Sequence, residues 1–195
     1  SARNMYKLLD AGEVVLLYPG GVREAYKHKG EEYKLFWPSK PEIIRMAARF
    51  GATIVPLSAV GCDDVDIALD GPELLNLPIV GDIIRNSMES LPQARQGASK
   101  TDEIMESFVA PIPAFPPRPP NRFYFLFGTP IVTQKEDVAD VELTERQYKE
   151  LKAGVTDGIA YLLKKREGDP YKDFLPRVLY EASWGGKSQA PTFKP

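Results

Sequence analysis

The sequence predicts an α/β domain with a mostly parallel central sheet flanked by helices. Three observations predict it. Residues 13–18 and 52–60 are short apolar runs rich in β-branched residues, the pattern of buried strands. Residues 41–50 lie between them with helical spacing, which makes strand, loop, helix, strand a βαβ unit of right-handed crossover. Residues 144–167 carry a long amphipathic helix, with Leu151, Val155, Ile159, Leu162 and Leu163 on one stripe.

The elements follow in order. Residues 4–11 place Met5, Leu8 and Leu9 on one helix face, and Gly12 suits the C-terminal cap. The strand over 13–18 ends at Pro19, and the loop 19–24 holds Gly20, Gly21, Arg23 and Glu24. That loop leaves the end of a strand, the edge where open α/β sheets bind ligands. Residues 25–37 read as an irregular covering segment punctuated by Tyr26, Tyr33, Phe36 and Trp37. Ser39 suits the N-cap of the next helix, with Pro41 in its first turn, Glu42 near its positive end, and Ile43, Ile44, Met46, Ala47 and Phe50 on its buried side. Gly51 closes it, and the strand over 52–60 reads as buried on both faces.

Residues 62–70 are acidic and read as a solvated turn without a calcium-loop spacing. Residues 71–92 are broken and amphipathic, a candidate interfacial segment or a lid. Residues 110–120 are a proline-rich connector. Residues 121–127 read as a third strand, stopped by Gly128 and Pro130, with Ile131 and Val132 as its continuation. Thr144 and Gln147 form a capping-box pair for the long helix. A polar and aromatic tail with Trp184 follows Gly168.

Bulk properties exclude several functions. The 195 residues suffice for one core, and 43% hydrophobic with 27% charged content is ordinary for a globular domain. A net charge of −2 gives no basic field for nucleic acid. Cys62 is the only cysteine and His28 the only histidine, which excludes an internal disulfide, a cysteine zinc site and a multi-histidine metal site. No apolar run approaches the ~20 residues of a membrane-spanning helix. The chain opens at Ser1 inside a predicted helix, so a piece of a longer protein is expected.

The segment Tyr-Pro-Gly-Gly-Val-Arg-Glu-Ala at 18–25 resembles a conserved block of glycerolipid acyltransferases, and Gly20, Gly21, Glu24 and Ala25 match its Gly-Gly-x-x-Glu-Ala form. Residues 44–61 resemble the next block, a helix, Gly-Ala and an apolar strand ending in Val-Pro, and 127–131 resembles a later Gly-x-Pro-Ile segment. The whole of 17–38 is similar to the plant phytyl ester synthase family.

The resemblance implies a partial glycerolipid-acyltransferase-like fold: residues 1–168 as the C-terminal part of the acyltransferase domain, 71–120 as a lid or lipid-contact insertion, and 169–195 as a tail. It implies an O-acyltransferase of neutral lipid synthesis, passing a fatty acyl group to phytol or diacylglycerol. The acyl donor would be acyl-CoA, acyl carrier protein or a galactolipid, with no cofactor and no metal. The implied partners are lipid substrates and a membrane or lipid-droplet surface, in the chloroplast plastoglobule. The family's His-x-x-x-x-Asp precedes the Gly-Gly block. Residues 1–12 hold no histidine, and Tyr33 stands five residues after His28, so the general base is expected upstream of Ser1 and the chain alone is expected to be inactive. The competing reading is a non-catalytic lipid-binding or scaffolding domain.

The residues allow specific roles. Backbone amides of Gly20 and Gly21 and the Arg23 guanidinium suit an oxyanion or a phosphate. Glu24 suits ordering of the arginine, contact with the acceptor, or a cap. His28, among Lys27, Lys29 and Glu31, reads as exposed. Cys62, beside Asp63 and Asp64, has its thiolate disfavoured. Lys27, Lys29, Lys34 and Lys40 suit either a carrier phosphate or solubility.

Overall fold

A computed structural model describes residues 2–89, 109–116, 119, 121–183 and 188–193. The chain forms two compact units. The first takes residues 1–19, 37–61 and 121–195, and the second takes 20–36 and 62–120.

In the first unit, α1 (Ala2–Asp10) ends in a turn with Gly12 at φ +75°. The expected strand over 13–18 does not form: the segment joins no ladder among the described residues. Its side chains alternate. Val15 and Leu17 line a cavity beside α3 (Glu42–Phe50), while Val14, Leu16 and Tyr18 are 100%, 60% and 73% exposed. An apolar run specifies an extended backbone readily, but a strand also needs a neighbour to take its N–H and C=O groups.

Helix α3 buries Ile44, Ala47 and Ala48 and stops at Gly51, which takes the left-handed conformation at φ +62°. Its N-cap is Pro41 rather than Ser39, because the N–H groups of Ile44 and Arg45 bond to the Pro41 carbonyl. The apolar run after Gly51 is split. Pro56, which has no N–H to offer, separates β1 (Thr53–Ile54) from β2 (Leu57–Val60). The two halves pair with different strands: β1 with β6 (Ile131–Val132), and β2 with β5 (Tyr124–Phe127), both antiparallel. The class is therefore mixed α/β, and every ladder among the described residues is antiparallel, not parallel. Strand β2 is buried on one face only, through Ser58 and Val60.

The long helix α6 (Val141–Glu167) covers that face. Ser58 Oγ donates to the Val155 carbonyl at 2.9 Å, and a Cβ on Gly158 would stand 2.3 Å from Ser58 Oγ. Its N-cap is Asp140, whose side chain accepts the Leu143 N–H at 2.9 Å. Thr144 instead lies fully buried one turn in, with its hydroxyl on the Val141 carbonyl. Ile44, Ile131, Tyr148 and Leu151 form the core, with Trp37 stacked on Tyr148. Burial of each such side chain stabilises the fold by roughly 1.5–3 kcal/mol. The segment after Gly168 is not featureless: α7 (Phe174–Ser183) forms there, and Trp184 lies outside the described residues.

In the second unit, α2 (Gly21–Ala25) replaces most of the expected loop 19–24. Residues 26–36 are irregular, as the sequence predicts. The acidic stretch contains β3 (Ile67–Leu69), paired antiparallel with β4 (Ile112–Pro113) from the proline-rich connector. Asp70 and Glu73 make a reciprocal capping box on α4 (Gly71–Leu75). Helix α5 (Val80–Glu89) follows, and Leu74, Leu75, Val109 and Ile84 pack together. Residues 71–89 thus bury part of their apolar surface within their own unit, while Ile79 and Ile83 stay exposed. Residues 90–92 of the expected interfacial segment lie outside the described residues, and no described helix is long and apolar enough to cross a membrane.

Candidate functional site

The Gly-Gly turn and the charged network behind it form the site. The two glycines are required for different reasons. Gly21 has φ +54°, a conformation that side chains disfavour. Gly20 is crossed by the Glu24 side chain: a Cβ at position 20 would stand 2.2 Å from Glu24 Cγ. Glu24 is held there because Oε1 accepts the Phe36 N–H at 3.0 Å.

Arg23 and Glu24 leave the same short helix and meet at one residue. The Arg23 guanidinium lies 3.8 Å from the centroid of the Phe36 ring, while Glu24 takes the Phe36 backbone. Glu24 therefore braces the turn, and the carboxylate that orders Arg23 is Glu31, whose Oε1 accepts from Arg23 Nη2 at 2.5 Å. Arg23 Nη1 is buried and has no partner among the described residues. A buried cationic donor without an acceptor is costly, and an incoming anionic or carbonyl oxygen would satisfy it.

Glu31 also accepts the His28 backbone N–H at 2.8 Å through Oε2. Burial alone would raise its carboxyl, but the bonds from Arg23 and the His28 N–H outweigh that and hold it below the ordinary value. His28 differs from its expected exposed setting. Its Nδ1 lies 2.7 Å from Asp70 Oδ1, and only 15% of its side chain is open.

The acidic segment is not a solvated turn. Asp63 Oδ2 accepts from Lys27 Nζ at 2.5 Å and from the Tyr33 N–H at 2.7 Å, and Asp64 accepts the Tyr33 hydroxyl. Lys29 bonds Glu73 and the Ala68 carbonyl. Lys27 and Lys29 are thus engaged within the unit, whereas Lys34 and Lys40 are exposed. No cluster of three or more metal-ligating side chains occurs among the described residues. Partial burial and then Asp63 push the Cys62 thiol up, which keeps it from acting as a thiolate.

Gly20, Gly21, Arg23 and Glu24 thus come together in one turn, with Arg23 Nη1 buried and unpartnered among the described residues. Sequence reasoning missed Glu31, Phe36 and Asp70. The Phe36-Trp37 pair was a visible signal of a packing anchor. The 42-residue separation of His28 and Asp70 left no signal at all. The first unit adds an apolar cavity of about 170 Å³, lined by Val15, Leu17, Trp37, Met46, Ile54 and Leu151. The buried Trp37 Nε1 has no partner there among the described residues.

The second unit thus holds a Gly-Gly-Val-Arg-Glu turn backed by the carboxylates of Glu31 and Asp70. The chain is similar over nearly its whole length to two proteins of Arabidopsis thaliana. It is 45% identical over 193 residues, 97% of its length, to "Phytyl ester synthase 2, chloroplastic". It is 44% identical over 198 aligned residues, covering 100% of its length, to "Phytyl ester synthase 1, chloroplastic". The chain spans about a quarter of the length of these relatives, 27% and 28% respectively. No family model and no solved structure matches it.

Proposed function

We propose that the chain is the part of a lipid O-acyltransferase that binds and orients the acyl group during fatty acid phytyl ester formation. The observation that carries this reading is 45% identity across 97% of the chain to a protein named as a phytyl ester synthase. The built turn supports it: Arg23 Nη1 is buried without an acceptor among the described residues, and the space where a Cβ on Gly21 would stand is empty. The apolar cavity beside residues 13–18 suits the end of an acyl or isoprenoid chain.

In this reading phytol is the acceptor, with diacylglycerol as a second acceptor, and acyl-CoA, acyl carrier protein or a galactolipid is the donor. Gly20, Gly21 and Arg23 contact the acyl carbonyl or a donor phosphate, and Glu24 keeps the turn in shape. The exposed Ile79 and Ile83 of the 71–92 segment face a lipid surface. The location is the plastid, at the plastoglobule.

The test is transfer of a labelled acyl group from acyl-CoA to phytol or to diacylglycerol by a form of the protein extended upstream to include the His-x-x-x-x-Asp block, read as ester product. Product that falls about 10²-fold in Arg23→Ala with the fold intact supports the reading. Product equal in the two proteins refutes the role of the turn.

A further inference from the structure

We propose that residues 13–18 are a docking strand, whose partner is a β-strand of the same polypeptide from outside residues 1–195. The run Val-Val-Leu-Leu-Tyr at 14–18 alternates with the period of a strand: Val14, Leu16 and Tyr18 are exposed, and Val15 and Leu17 are half-buried. Yet none of its backbone N–H and C=O groups bonds another described residue. Each of these residues carries one donor and one acceptor, so the run leaves a full row of them to water. Proteins blunt an apolar edge of this kind with a charge, a proline, a bulge or a cover. Residues 14–18 contain no charged residue, no proline and no glycine, which leaves the cover.

The surface beside the run says what the cover is made of. Val14 and Leu16 line an open cleft of about 540 Å³ together with Val55, Leu57 and Phe127. Glu13, at the end of the run, is the single charged residue of its lining. Val14, Leu16, Val55 and Phe127 are all exposed. Phe125 extends the same exposed face along β5, because Phe125 and Phe127 alternate there with the buried Tyr124. All of these residues belong to the first unit. The hydrocarbon chain of a lipid would fill the cleft but would leave the backbone groups of 14–18 without partners. A strand with apolar side chains answers both needs at once.

A second copy of the chain also carries strands. Length favours the same polypeptide instead: the matched region takes up 27% and 28% of the two relatives, so most of such a protein lies outside it. A strand on the same polypeptide meets the run at a high effective concentration, whereas a second copy must be gathered from solution. The upstream position of the partner strand rests on the acyltransferase reading, while the unpaired run and the cleft rest on geometry. Because the run leads through Pro19 into the Gly-Gly turn, pairing fixes the strand end from which Gly20 and Gly21 leave.

The experiment compares amide hydrogen exchange in the 195-residue chain and in a form extended upstream to include the His-x-x-x-x-Asp block. Exchange at residues 14–18 is expected to be fast in the chain and slower by about 10²-fold or more in the extended form. Val14→Asp gives a second reading. Its urea midpoint is expected to match the wild type in the chain, where Val14 is fully exposed, and to fall in the extended form. Equal exchange at 14–18 in the two forms, or an extended form whose midpoint Val14→Asp leaves unchanged, overturns the proposal. Protection in the chain alone that grows with protein concentration also overturns it, by making a second copy the partner. If 14–18 are protected in an extended form that passes no acyl group to phytol, the docking strand stands and the acyltransferase reading falls. Acyl transfer without added protection does the reverse.

Discussion

Two carboxylate-centred regions of this chain are built alike and finished differently. In the first unit, Asp169 sits with its side chain 1% exposed. Its Oδ2 accepts the Tyr124 hydroxyl at 2.6 Å and Arg122 Nη1 at 3.3 Å, and its Oδ1 accepts the Tyr171 N–H at 2.8 Å. Arg122 continues to the carbonyls of Ala190 and Pro191, and Phe193 stacks on Tyr124. Burial, then Asp169, push the Tyr124 hydroxyl up, so it stays a donor. Both Asp169 oxygens are used, and the cluster clamps the tail. In the second unit, the network of Glu31 and Asp70 leaves Arg23 Nη1 buried and without a partner among the described residues. A fully satisfied network rigidifies, while a buried donor left without an acceptor is costly.

The comparison can be broken at several points, taken from the largest expected effect on stability to the smallest. Asp169→Ala leaves Arg122 without its carboxylate in a buried setting and is expected to cost about 3–5 kcal/mol in urea unfolding. Gly158→Ala forces α6 away from Ser58 and is expected to cost about 1–3 kcal/mol by the same measurement. Glu24→Ala leaves the Phe36 N–H without its acceptor and is expected to cost about 1 kcal/mol, with lost turnover following from a loosened turn.

Acid should loosen the network of the second unit without mutation. Glu31 and Asp70 both have carboxyls lowered in the folded state. Lowered values mean that their stabilisation is fully present above the ordinary carboxyl range of about pH 4 to 4.5, and is lost as pH falls below it through the folded values. Amide hydrogen exchange at His28 and Lys29, whose N–H groups these two carboxylates accept, is expected to accelerate in that window. Protection that holds to the same degree as at neutral pH would show that the network does not hold the second unit.

How much of this was legible follows from the physics of each element. Helix α3 was plain because its apolar spacing and Gly51 are local signals. The body of α6 was equally plain, but its start was not. Asp140 and Thr144 are both good caps, and the buried position of Thr144 follows from tertiary packing. The run 52–60 gave its extended backbone but not its partners, and Pro56 divided it between two antiparallel ladders. The run 13–18 gave its alternation but no ladder. At the site, the turn itself was legible because Gly20, Gly21, Arg23 and Glu24 are adjacent. What gives it chemical character comes from elsewhere: Glu31 lies eight residues from Arg23, and Asp70 lies 42 from His28. Spacings of that kind have no periodicity to read.

The proposed role of Arg23 rests on Nη1, the buried nitrogen without a partner among the described residues, rather than on its ion pair with Glu31. Arg23→Lys tests it most directly, since lysine keeps the charge and can still reach Glu31 but has no second nitrogen to offer. Acyl transfer to phytol is the measurement, with urea unfolding alongside. The account predicts unchanged stability and a loss of tenfold or more, as expected for one hydrogen bond to a charged group of about 1.5–3 kcal/mol. Turnover at the wild-type level would contradict it.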